Sequence, residues 1–130
     1  MAKVTTQRTR TTPEHFALFQ SECKACAERW GVNDIGLYYH HGKREGVRAQ
    51  FSGQHQSRIA TLTLAAEWEE FDADDPAQPV TEEEIRTLAR HEMIHAMLLP
   101  MAAMIGNFCS EDEAKEAEER IVQRLLRLLP

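Results

Sequence analysis

Leu88-Ala89-Arg90-His91-Glu92-Met93-Ile94-His95-Ala96-Met97-Leu98-Leu99 is the stretch on which the reading of this chain turns. Residues four apart on a helix share one face, about 5–6 Å apart at Cβ. His91 and His95 therefore aim two imidazoles at one point. Glu92 is too close in sequence to His91 to share its aim, yet it reaches a water held between them. The pattern H-E-x-x-H thus encodes two ligands for a tetrahedral cation and a carboxylate general base in one turn. The alternative is a solvated helix face with two surface histidines. Leu88, Ala89, Met93, Ile94, Ala96, Met97, Leu98 and Leu99 argue against it, because a helix apolar almost all round is buried. Histidines and a glutamate buried there need partners, since unpaired burial is costly.

The stretch lies inside a well-started helix. Thr81 and Glu84 form a capping box, Val80 and Ile85 a hydrophobic staple. Glu82, Glu83 and Glu84 favour the positive end of the helix dipole. Pro100 predicts that the helix ends just before it. A second capping box, Ser110 with Glu113, starts a last helix over 111–129. Its apolar stripe is Ala114, Ile121, Val122, Leu125 and Leu129, and Glu118 interrupts it, with Glu116 and Glu119 toward the flanks. A carboxylate on a buried stripe wants a cation. Glu118 is therefore the expected third metal ligand, with Glu111 as second choice. A salt bridge to Arg86 or Arg90 is the other way to pair it. No histidine follows His95, which excludes the long metzincin pattern and leaves a His₂Glu site, an arrangement used for catalytic zinc.

Upstream, Thr12 as N-cap and Pro13 at the first helical position predict a helix to about Trp30, stopped at Gly31. Phe16, Phe19, Cys23, Cys26 and Trp30 fall at helical spacing, so the Cys23-x-x-Cys26 pair is read as core packing rather than zinc or redox chemistry. Periodicity then switches to two around 35–40, 47–52 and 59–64, with glycine-containing connections at 42–46 and 53–56. That pattern predicts a three-stranded antiparallel meander. Residues 67–75 hold six acids in nine positions and read as a solvated loop. Tyr38, Tyr39, His40 and His41 are candidates for a second donor to a reaction oxyanion, against the alternative of ordinary strand and turn residues.

The bulk numbers suit one α+β domain. At 130 residues, 42% hydrophobic and 28% charged, the chain can hold a single core. The expected division is a flexible arm over 1–11, or at most an edge strand, and one domain over 12–130. A net charge of −6 disfavours nucleic acid as a partner. No apolar run is long enough for a membrane helix, and no secretory signal opens the chain. Three cysteines imply no disulfide framework. A cytoplasmic protein is expected.

The string LARHEMIHA, Leu88 to Ala96, resembles the motif helix of SprT-like (Spartan-like) zincin metallopeptidases. The run from Leu98 through Leu129 is similar to the tail of small phage-encoded minimal zincins. This resemblance implies a zincin-like fold: an N-terminal helix, a three-stranded sheet, the HExxH helix and a C-terminal helix. It also implies a zinc metalloprotease acting on a peptide or protein substrate, with an edge strand, here 58–64, receiving that substrate. Spartan-like proteins carry a third histidine after the motif, and this chain has none. With Glu118 from the last helix as the third ligand, His91, His95 and Glu118 are expected to hold zinc and Glu92 to be the catalytic base. A zinc-bound module that no longer cleaves is the alternative reading.

Overall fold

The computed structural model describes residues 8–69, 80–105 and 107–129. Eight elements follow in order: β1 (Arg8–Arg10), α1 (Pro13–Trp30), β2 (Gly36–Gly42), β3 (Ala49–Gln54), β4 (Ile59–Ala65), β5 (Glu67–Glu69), α2 (Glu82–Ile105) and α3 (Glu111–Leu128). The class is α+β, as expected from the sequence.

The predicted caps are present. Thr12 Oγ1 accepts from the His15 N–H at 3.2 Å, and His15 Nδ1 accepts from the Thr12 N–H at 3.0 Å. Gly31 closes α1 in the left-handed region, φ 72°, where a side chain would be strained. Thr81 and Ser110 each accept from the backbone N–H three residues on, at 3.2 Å. α1 buries Phe19, Cys23 and Cys26 against α2, and the Cys23 thiol points at the Ala89 carbonyl, 3.9 Å away. The core reading of the C-x-x-C therefore describes where these cysteines lie.

The sheet differs from the predicted meander. Its order is β2-β4-β3, with β2 parallel and β3 antiparallel to β4. Alternation identifies strands but not their neighbours. β4 takes the centre because Ala60, Leu62, Leu64 and Ala65 are all fully buried, and a strand covered on both faces and both edges is the one that can be this apolar. Residues 58–64, expected at the edge, therefore lie in the middle, and β3 is the edge strand beside α2. The amide of Ala65 donates to the Arg48 carbonyl. In that register the ladder bonds fall on Gln50, Ser52 and Gln54, so Ala49, Phe51 and Gly53 turn their backbone groups outward.

Two further boundaries moved. β1 pairs antiparallel with β5, so residues 8–10 take the edge-strand form, and the start of the acidic run, 67–69, is strand. Residues 70–75 of that run lie outside the described residues. Thr11 is buried and gives its single hydroxyl proton to the Ala65 carbonyl at 2.7 Å. The contact of its oxygen with His41 Nε2, also 2.7 Å, is then a bond donated by the histidine. α2 runs through Pro100 to Ile105. Proline deprives the Ala96 carbonyl of its helical donor, yet the helix continues over 101–105, none of which is buried. Among the described residues no helix is long and apolar enough to cross a membrane.

Candidate metal centre

α2 presents His91 and His95 on one face, their ring centroids 5.1 Å apart and tilted by 55°. α3 lies alongside and brings two consecutive glutamates to them. Glu119 Oε1 is 2.9 Å from His95 Nε2, and its Oε2 is 3.7 Å from His91 Nε2. One ligand atom from each of His91, His95 and Glu119 fits within a 4.8 Å cluster. Glu118 reaches the other side of the same ring, with Oε1 2.8 Å from His95 Nδ1.

The carboxylate that joins the two imidazoles in this cluster is Glu119, one residue on from the expected Glu118. Glu118 does point inward, as the apolar stripe predicted, but it meets the back of His95 rather than the point where the imidazoles converge. Helical periodicity put Glu118 on the buried stripe and Glu119 100° round from it. Which of the two faces the convergence point depends on how α3 is set against α2. The signal that was available is the pair itself: two adjacent glutamates offer one carboxylate to each imidazole nitrogen. Glu111, the second choice, is on the surface with Lys115, 3.2 Å away. The salt-bridge alternative is not formed either. Arg86 pairs with Glu82 at 3.7 Å, and Arg90 donates to the Leu129 carbonyl.

Glu92 is 7% exposed. Burial pushes its carboxyl from 4.5 up to about 7, opposed by His95 and reinforced by Glu119. Burial, and then the neighbouring His95, lowers the pKa of His91, so its ring is kept neutral with a lone pair free for a metal. Two imidazoles and a carboxylate with these properties match a His₂Glu zinc donor set. Phe51, on β3, stacks on His95 with centroids 5.9 Å apart and planes within 14°. Sequence reasoning missed Phe51, because nothing in the alternation of β3 says which helix residue it will face.

The oxyanion candidates lie elsewhere. Tyr38 is 58% exposed. Lys24 sits over the ring of half-buried Tyr39, 5.7 Å from its centroid, and burial pushes that phenol up to about 12. His40 is exposed, while His41 bonds Thr11 and stacks on Phe16 at 5.1 Å. Burial raises the Cys23 and Cys26 thiols as well, the latter to about 11, which keeps both protonated and unsuited to metal binding.

Comparison of the chain with known protein families, with curated proteins and with solved structures finds no match.

Proposed function

We propose that this chain is a zinc-dependent metallopeptidase of the zincin type, hydrolysing peptide bonds. One observation carries the reading: His91, His95 and Glu119 converge, and the buried carboxyl of Glu92, next to His91 in sequence, lies within the electrostatic reach of His95 and Glu119. His91, His95 and Glu119 would hold the zinc. The bound ion would supply a Lewis acid and lower the pKa of its water. Glu92 is the general base that would take a proton from the attacking water and return it to the leaving amine. In the metal-free chain burial raises this carboxyl, the direction that suits a group which must both take and give up a proton. Glu118 holds His95 Nδ1, which leaves Nε2 to face the metal.

The substrate is best accommodated as an extended peptide on the outer edge of β3. Phe51 turns its N–H and C=O outward there while its ring stacks near-parallel to His95. Among the described residues 49–54 make no backbone bond besides the β4 ladder, which suits this edge to the addition of a strand. The three cysteines are free thiols, in keeping with a reducing cytoplasm. The string Leu88–Ala96 supports placing the chain near the SprT-like and phage minimal zincins.

Metal analysis of the purified protein should give about one zinc per chain, as for a single His₂Glu site. His95→Ala should lose it; equal zinc in both discards the site. Glu92→Gln should keep zinc and lose cleavage of a peptide library. Zinc retained by wild type with no cleavage of any peptide would make the chain a binding module instead.

A further inference from the structure

Gly53 lies in β3 with an extended backbone that any residue adopts, so its own conformation does not require glycine. The space around it does. A Cβ there would fall 2.7 Å from Phe51 Cζ, 3.0 Å from Phe51 Cε1 and 2.9 Å from Leu99 Cδ1. Residues two apart on a strand share a face. The Phe51 ring leans along β3 over the bare α-carbon of Gly53, and in that pose it lies nearly parallel to the His95 imidazole. Leu99, one turn beyond His95 on α2, closes the far side.

We infer that Gly53 is a positioning residue for the metal centre: by lacking a side chain it lets Phe51 stack near-parallel to His95 and restrain the plane of that ligand. This rests on the reading of His91, His95 and Glu119 as the metal site. Glu118 fixes His95 within its plane through Nδ1, while the aromatic face restrains the tilt of that plane. Both restraints act on the direction in which Nε2 points. The atoms that a Cβ at Gly53 would meet are the tips of side chains. A methyl group is therefore absorbed by swinging Phe51 away from its present pose, at the expense of the stack rather than of the strand. Outer supports of metal ligands carry about 10–100-fold in affinity.

The test is a double-mutant cycle on metal affinity. Wild type, Gly53→Ala, Phe51→Leu and the double variant are titrated with zinc against a chromophoric chelator and with cobalt(II), whose visible spectrum reports ligand geometry. His95→Ala is the reference without a site. Gly53→Ala should weaken zinc about 10-fold and alter the cobalt spectrum. Phe51→Leu should do the same, and the double variant should be no weaker than Phe51→Leu alone, because Gly53 acts through the ring. Wild-type affinity and spectrum in Gly53→Ala, or additive losses in the double variant, overturn the inference while leaving the site standing. If Gly53→Ala does not fold, Phe51→Leu decides, and unchanged affinity there overturns the inference. Wild type binding no more tightly than His95→Ala overturns the metal site and the inference with it.

Discussion

Glu118 and His95 meet at Nδ1, 2.8 Å apart, on the side of the imidazole opposite the Glu119 carboxylate. A histidine that donates through Nδ1 to a carboxylate has its tautomer set and its Nε2 made more basic. Two neighbouring residues of one helix thereby take different duties at one ring. Glu119→Ala should abolish tight zinc binding. Glu118→Ala should weaken it about 10–100-fold, and Glu118→Gln less, since its amide oxygen still accepts from Nδ1–H. Competitive chelator titration separates these. Equal losses at 118 and 119 would show that the two carboxylates are not divided in this way.

The buried carboxyl of Glu92 makes the stability of the metal-free protein depend on pH. Its folded pKa, about 7, lies above its ordinary 4.5. Below 4.5 the group is protonated in both folded and unfolded chains and costs nothing. As pH rises from 4.5 through about 7, the unfolded chain ionises first and folding loses up to roughly 3 kcal/mol. Glu92→Gln has no such charge to bury, so its stability relative to wild type should increase across that window. Urea unfolding of chelator-treated protein at pH 4.5, 6 and 8 checks this; a constant difference would mean that Glu92 is solvated.

Cys23 and Cys26 are buried in the core, and among the described residues they belong to no cluster of possible metal ligands. Cys23→Ala and Cys26→Ala should each leave the zinc content unchanged and cost about 1–2 kcal/mol, as small core truncations do. A drop in bound zinc in either variant would bring a thiol into the metal shell.

Thr11 joins β1 to the main sheet through the Ala65 carbonyl and His41. Thr11→Val keeps the shape but leaves a buried carbonyl and an imidazole N–H without this partner. It should cost about 1–3 kcal/mol in chemical denaturation and leave zinc affinity unchanged. A neutral result would show that water replaces the hydroxyl.

Much of the molecule was legible in local sequence because its cause is local. Caps at Thr12, Thr81 and Ser110, the αL stop at Gly31 and the apolar spacing of α1 and α2 are decided by residues within one turn of each other, and each is where the pattern put it. His91 and His95 share a face for the same reason, the 3.6-residue repeat. Tertiary structure decided what contact between distant segments decides. β4 took the centre of the sheet because it had the most apolar surface to cover, making β3 the edge. The setting of α3 on α2 turned Glu119 toward the convergence point and Glu118 to the back of His95, a distinction of one residue that periodicity cannot draw. Spacing within a helix is set by the backbone, but which side chain meets which across two helices is set by how their surfaces pack.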